Sequence, residues 1–329
     1  MQNFTYEQAS TVDKAVGSVT GSGGQFIAGG TTLVDLMKLG VELPPALVDV
    51  TALPLDQVEA IDDGPMKGGL RIGAMVRNSD LANHPEVVKN YAVLSQALLS
   101  GASPQLRNMA TTGGNLLQRT RCPYFRDLTS GACNKRDPGS GCAAMEGHHR
   151  TMAILGTSEH CIATHPSDMC VAMTALEAVI HVQGMKGERT IAIGEFYKLP
   201  GVTPNIENAL EPGELITHVE LPPAIGTGQV YLKLRDRASY EFALASAAVV
   251  ARVENGHIRA VRVAMGGVGT RPWRSHPAEL ALVGRLANAA NFQAAAEAAL
   301  KGAKPRQENG FKVELAKRCV TRALKMATA

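Results

Sequence analysis

The chain has little aromatic character: Phe, Trp and Tyr make up 4% of its 329 residues, with a single Trp. That weakens any case for stacking nucleic-acid bases on side chains. No run of Lys or Arg stands out and the net charge is only +3, so no nucleic-acid surface is indicated. No apolar run reaches the roughly 20 residues that a bilayer-crossing helix needs. Residues 1–17 lack the basic start and apolar stretch of a secretory signal. The expected location is therefore cytoplasmic, or periplasmic through export with a signal-bearing partner. Four motifs are missing as well: the Gly-Lys-Ser/Thr of a P-loop, G-x-G-x-x-G, C-x-x-C, and the plant-type ferredoxin spacing C-x4-C-x2-C. Their absence argues against a P-loop nucleotide site, a Rossmann site, a zinc ribbon and a plant-type cluster.

What is present is an ordinary globular balance, 45% hydrophobic and 19% charged, able to bury a core in two medium domains or one large one. Gly24–Gly30 (GQFIAGG) reads as a strand ending in a glycine turn, and Thr31–Gly40 as a short helix closed by Gly40. Ala46–Leu53 and Gly69–Val76 are strand-like. Asn78–Val88 and Tyr91–Ala102 carry helical periodicity, the first with Asn78 or Ser79 as cap. Met152–Gly156 reads as a strand, and Asp168–Val182 as a helix passing into a strand. A strand and the double proline at Pro223 close the first domain. Beyond it come strand (Val230–Arg235), helix (Phe242–Val253, whose tail also suits a strand), a Glu254-Asn255-Gly256 turn, strand (Ile258–Val268) and two helices. That is an α+β pattern with antiparallel pairing at the turn.

The six cysteines are unevenly placed. Cys122, Cys133, Cys142 and Cys161 follow one another as C-x10-C-x8-C-x18-C, inside a stretch rich in Arg, Gly and Pro and without apolar period. So long an irregular stretch needs something to order it, and a metal centre supplies that order. A disulfide framework fits small secreted domains better. Four thiolates suit either a [4Fe–4S] cluster or tetrahedral zinc, and His148, His149 and His160 lie close enough in sequence to substitute. Cys170, in an apolar helical pattern, and Cys319 read as small core residues.

Two glycine signatures remain, Ala28-Gly29-Gly30-Thr31-Thr32 at a strand-to-helix junction and Ala110-Thr111-Thr112-Gly113-Gly114-Asn115-Leu116. Paired glycines let consecutive N–H groups point at an anion, and the hydroxyls of Thr31, Thr32, Thr111 and Thr112 add donors. Each alone is equally well a tight turn. Together, two donor loops would clamp a diphosphate from two sides.

The ordered motifs F-I-A-G-G-T, A-T-T-G-G-N-L, T-H-P-S-D and Y-L-K-L-R-D-R-A-S-Y resemble the FAD subunits of the xanthine dehydrogenase and aldehyde oxidase family over essentially the whole chain. The likeness is greatest to medium subunits of three-chain bacterial aldehyde oxidoreductases. It implies an α+β fold in which a two-lobed FAD-binding domain of the vanillyl-alcohol-oxidase class (residues 1–223) precedes a smaller α+β domain (residues 224–329). It implies a first pyrophosphate loop of Phe26, Ile27, Ala28, Gly29, Gly30, Thr31, Thr32 and Leu33, and a second of Thr111, Thr112, Gly113, Gly114 and Asn115. Asp168 matches the family's acidic FAD contact, and equally suits a helix N-cap with Ser167. Ile216 matches a backbone contact to the flavin. Lys233 matches a lysine near an isoalloxazine carbonyl, and equally suits an exposed strand lysine. Gln118 and His165 flank these loops in sequence. No histidine follows the first Gly-Gly pair, so non-covalent FAD is expected.

In simpler members the G-G-N loop runs almost directly into the P-x-x-D turn, whereas here an insertion at about residues 116–164 holds all four clustered cysteines. The resemblance implies a [4Fe–4S] cluster on Cys122, Cys133, Cys142 and Cys161. Arg119, Arg121, Arg126, Lys135 and Arg136 would offset its charge or face a partner. The expected role is electron transfer: a large molybdenum subunit oxidises an aldehyde, a small [2Fe–2S] subunit relays the electrons, and this chain passes them to an external acceptor. The alternatives are a zinc-stabilised, non-redox adaptor and a stand-alone flavin oxidase. Against the latter, no acid/base pair stands beside the ring.

Overall fold

Three sheets organise the chain in a computed structural model that describes residues 1–129 and 131–329. The first lobe holds β1 (Thr5–Gln8), α1 (Val12–Ser22), β2 (Gln25–Ile27), α2 (Leu33–Lys38) and β3 (Ala46–Asp49), with the strands parallel in the order β1-β3-β2. Helix α1 is capped by Thr11, whose side chain accepts from the Lys14 amide, and closes on Gly23 in the left-handed region.

The second lobe begins with β4 (Val58–Ala60) and β5 (Leu70–Gly73). Five short helices follow: α3 (Asn78–Asn83), α4 (Pro85–Asn90), α5 (Ala92–Ser100), α6 (Pro104–Met109) and α7 (Thr112–Leu116). The periodicity of residues 78–88 is thus split in two. His84 is extended ahead of Pro85, and a residue before proline is pushed out of the helical region. The expected cap is corrected too, because Arg77 occupies that position without a side-chain hydrogen bond. Among its described residues, the cysteine insertion contains one short helix, α8 (Pro123–Arg126). Residues 152–156 form no strand; Leu155 makes only an isolated bridge to Gly269. The lobe is completed by α9 (Asp168–Ala175), β6 (Val179–Gly184), β7 (Gly187–Ala192), α10 (Ile193–Phe196) and β8 (Leu215–Leu221), with the antiparallel strand order β4-β5-β8-β6-β7.

The last domain runs β9 (Gly228–Leu234), β10 (Ala245–Glu254), β11 (His257–Gly266), β12 (Trp273–Arg274), then α11 (His276–Leu282), α12 (Ala289–Ala299) and α13 (Phe311–Ala327). Its sheet is antiparallel in the order β12-β11-β10-β9. Asn255 and Gly256, with φ of 51° and 75°, make the tight β10–β11 turn. The expected helix over residues 242–253 is in fact β10, and three helices rather than two end the chain.

Strand β10 explains how the domains join. Ala248 and Val250 belong to the core that the two lobes share, whereas Ala247, Val249 and Ala251 belong to that of the last domain. A strand buried on both faces shows no alternation, and this one's alanines imitate a helix former. Helix α9 packs on one side of this sheet, with all eight of its residues buried. It therefore starts, at Asp168, deep between the second lobe and the last domain. Among the described residues, no helix is long and apolar enough to cross a membrane.

Candidate functional site: a cleft between the lobes and a four-thiol recess

The two glycine loops meet. Gly29 abuts the end of α6 so closely that a Cβ there would stand 1.9 Å from the Met109 carbonyl oxygen. Gly30 has φ of +68°, where a side chain would be strained. A cavity of about 190 Å³ runs between them, lined by all eight residues from Phe26 to Leu33, by Thr111, Gly113 and Gly114, and by Ile216 from β8. A wider cavity of about 580 Å³ shares Thr31, Thr32 and Gly114 with it, and adds Asn115, Gln118, Asp168 and Lys233. One extended cleft between the lobes is the result.

Its two loops are not equivalent as anion donors. Among the described residues, the amides of Ala28, Gly29, Gly30, Thr31 and Thr32 meet no backbone carbonyl, so five N–H groups remain for a ligand. In the second loop the Thr112 and Gly113 amides donate to Val76 and Ala74 at 2.9 and 2.8 Å. The Thr112 hydroxyl donates to the Val76 carbonyl (3.1 Å), and Thr111 Oγ1 accepts from the Gly114 amide (3.2 Å). The expectation that Thr112 supplies a hydroxyl to an anion is thereby corrected: it fastens the loop to the turn after β5. Thr112 is fully buried and does not line the cleft.

At the wide end, Ser167 is the N-cap of α9 and Asp168 occupies the first turn. Asp168 accepts from Lys233 Nζ at 2.8 Å and from the Tyr231 hydroxyl, which also contacts Ser246 Oγ at 2.9 Å. Lys233 donates in addition to the Ser100 carbonyl (3.1 Å), and its side chain is only 4% exposed. The exposed-lysine alternative is thus excluded. Burial, then the adjacent Asp168, pushes the Tyr231 phenol far above its ordinary range, so it remains a donor. Tyr231 and Ser246 were not among the expected residues. The available signal was strand period: Tyr231 lies two residues before Lys233 and shares its face. Asn115 is fixed by Gln118 Nε2 (2.5 Å) and Ser167 Oγ (2.6 Å) on its Oδ1. His165 stands apart, lining two neighbouring recesses rather than the cleft.

The four clustered cysteines converge as well. Cys122, Cys133, Cys142 and Cys161 line one small recess with Tyr124, Phe125 and Ala144. Cys133 and Cys142 face each other across an isolated bridge, and all four are free thiols. Burial pushes Cys122 up to about 12, with smaller contributions from Cys133 and Cys161, and it raises Cys142 and Cys161 as well. Such thiols ionise only if a cation takes the proton's place. Cys170 and Cys319 lie in the two main cores.

The basic residues of the insertion are already paired. Arg119 bridges Glu42 and Glu207, Lys135 reaches Glu207 at 2.9 Å, and Arg121 and Arg126 share Asp35 at 3.2 and 2.7 Å. Arg136 gathers the carbonyls of Tyr124, Phe125, Asp127 and Gly131. Four of them thus pair with carboxylates and Arg136 with backbone carbonyls, contacts that fold the insertion. His149 is committed at both ring nitrogens, to the Gly147 carbonyl (2.7 Å) and the Glu308 amide (3.1 Å), while His148 contacts Glu308. Only His160 of the three histidines touches the recess.

Comparison with known proteins places this architecture. Residues 2–224 match the FAD binding domain in molybdopterin dehydrogenase, and residues 230–327 the CO dehydrogenase flavoprotein C-terminal domain. The chain belongs to the FAD-binding medium subunits of the molybdenum hydroxylases, oxidoreductases of the xanthine oxidase family whose molybdenum site is on another chain. It is 52% identical over 331 residues to the aldehyde oxidoreductase FAD-binding subunit PaoB of Escherichia coli strain K12, covering 100% of this chain and 99% of that one. The carbon monoxide dehydrogenase medium chain of Hydrogenophaga pseudoflava is 28% identical over 334 residues, with 99% and 97% covered. The solved carbon monoxide dehydrogenase of the same organism superposes with a TM-score of 0.75 at 26% identity, over 99% of this chain and 97% of that one. Quinoline 2-oxidoreductase from Pseudomonas putida 86 shares the fold, with a TM-score of 0.76 at 23% identity and 99% and 97% covered.

Proposed function

We propose that this chain is the FAD- and [4Fe–4S]-carrying electron-transfer subunit of a molybdenum-dependent aldehyde oxidoreductase. A large partner oxidises the aldehyde, a small [2Fe–2S] partner delivers the electrons, and an external acceptor takes them away. The observation that carries this reading is the convergence of both glycine loops, Ile216, Asp168 and Lys233 on one extended cleft. The identity with the Escherichia coli aldehyde oxidoreductase subunit supports the substrate class.

The residues present fit both groups. The five unpartnered amides of Ala28–Thr32 suit a diphosphate, and the glycines leave no side chain over them. Ile216 and Leu33 provide an apolar wall, and the Lys233–Asp168 ion pair provides an ammonium donor and a carboxylate acceptor at the wide end. A bound flavin supplies exchange between one-electron and two-electron partners, while the protein positions and tunes it. Gln118 and Asn115 hold each other against that wide end.

At the cysteines the spacing favours a cluster over one ion. Zinc–sulfur bonds of 2.3 Å in a tetrahedron hold sulfurs about 3.8 Å apart. Among the described residues, no three of the four sulfurs lie within 4.8 Å of one another. A cluster whose four irons each take one thiolate would accept sulfurs set farther apart than a single ion does, and the surrounding apolar residues Leu36, Met152 and Ile162 would shield it from water.

The test is an absorption spectrum of the anaerobically purified protein, with iron, zinc and acid-labile sulfide assayed on the same sample. Flavin bands with about four irons and four sulfides per chain are expected. Flavin with zinc and no sulfide would remove the cluster, and neither flavin nor iron in the assembled complex would overturn the whole reading.

A further inference from the structure

Away from the cleft, the five-stranded sheet places His181 of β6 directly opposite His218 of β8. Glu220 follows two residues on, so it projects from the same face of β8. The imidazoles stack with centroids 4.0 Å apart and planes 21° from parallel, so one ring must turn about its Cβ–Cγ bond for both Nε2 lone pairs to meet one ion. His181 Nε2 lies 3.1 Å from Glu220 Oε2, and His218 Nε2 lies 3.9 Å from Oε1. One atom from each residue falls within 4.8 Å of the other two. His218 Nδ1 is in contact with Thr217 Oγ1 at 3.0 Å, which leaves Nε2 turned toward the carboxylate. A partner of this kind on the far ring nitrogen is what orients a metal-bound histidine.

A second observation points to a ligand. His181 Nε2 is buried yet has no hydrogen-bond partner, although Glu220 Oε2 is within reach in distance. The histidine side chains remain 23% and 24% exposed and that of Glu220 11%, so an ion has a route in.

We propose that His181, His218 and Glu220 form a binding site for a divalent transition-metal ion of the zinc type, completed by water. Two imidazole nitrogens and one carboxylate suit zinc and its neighbours, whereas magnesium and calcium take oxygen ligands. Arg71 donates to Glu220 Oε1 at 2.9 and 3.1 Å and keeps Oε2 free to face the histidines. The ion would tie β6 to β8 beside the register shift between His181 and Val182. Strand β8 also carries Ile216 into the cleft, so the site braces one wall of it. The inference is independent of what the cleft or the cysteines hold.

The experiment uses the tag-free, cofactor-loaded protein with Zn²⁺ as probe. The wild type should take up one more zinc per chain than the His181→Asn/His218→Gln double variant, and each single variant should bind at least about tenfold more weakly. Zinc-edge X-ray absorption of the wild type should show only nitrogen and oxygen neighbours, imidazole among them. Equal uptake by wild type and double variant, no uptake by the wild type, or sulfur as the only ligand type found at the added zinc would overturn the site. The absorption spectrum needs no variant, so it decides the matter even if the double variant fails to fold.

Discussion

His165 is held neutral by its surroundings. Burial pulls its pKa down to about 3; Glu207 opposes this and Lys135 adds to it, both weakly. Its Nδ1 accepts from the Ser167 amide at 3.3 Å, its ring meets Tyr197 edge-on at 4.6 Å, and its Nε2 has no partner. In the unfolded chain the same group titrates near 6.5. Between pH 6.5 and 3 the unfolded state therefore binds the extra proton, and stability falls as pH falls through that window. At pH 5 the loss relative to pH 7 is about 2 kcal/mol from this residue alone. Urea unfolding of His165→Asn at both pH values should show a correspondingly smaller loss; an unchanged loss would assign the acid sensitivity to other groups. The sequence put His165 beside the flavin loops, whereas its ring lines two neighbouring recesses and only the following Pro166 reaches the cleft. It did not tell which way the ring faces, because a histidine before a proline turn carries no periodic signal. Lys233 shows the same limit. Its position on a strand was legible, whereas its ion pair with Asp168, 65 residues earlier, depends on how two separate elements dock.

Among the elements, those set by turn and period were legible and those set by burial on both faces were not. The Gly24–Gly30 strand-turn, the helix starting at Asp168 and the Asn255-Gly256 hairpin all stand where local chemistry put them. Strand β10 did not, because its alanines pack between α9 and α13 and the tertiary fit overrides their helix propensity. The first glycine loop lends itself to a paired test. A Cβ on Gly29 would collide with the Met109 backbone carbonyl, which cannot step aside as a flexible side chain would. Gly29→Ala should thus separate the loops, and it should purify with less than a tenth of the wild-type FAD. Gly17 lies on the exposed face of α1, and a methyl group added there would meet nothing within 4 Å. Gly17→Ala should therefore stabilise by about 0.5–1 kcal/mol. Full FAD occupancy in Gly29→Ala, read from flavin absorbance per chain, would mean that the loop contact is dispensable for binding.

At the scale of the whole molecule, the cysteine insertion builds a cluster of its own around the thiols, while Ile154 and Leu155 near its end join the core of the last domain. Its apolar residues, with Leu36 of α2, form a third cluster around Phe125, Met152 and Ile162. It is fastened at both ends. Arg121 and Arg126 hold Asp35 of the first lobe, while the buried Lys312 of α13 donates to the carbonyls of Thr151, Met152 and Gly267 at 3.0, 2.9 and 2.6 Å. These fastenings do not pass through the cysteines. The cleft, for its part, is lined by the glycine loops, β8, the start of α9 and, from the insertion, Leu117, Gln118, Arg119, Arg121 and Arg126, but by none of the four thiols. Loss of one thiol should therefore remove the cluster and spare the flavin. Cys122→Ser is expected to lose most of its iron and labile sulfide while keeping wild-type FAD and assembly with its partners. If turnover of the assembled complex falls with the iron, the cluster lies on the path that electrons take through this subunit. If turnover is unchanged, the cluster orders the insertion and the path runs elsewhere. Loss of FAD together with iron would show instead that the thiols hold in place the insertion residues that line the cleft, Gln118, Arg121 and Arg126 among them.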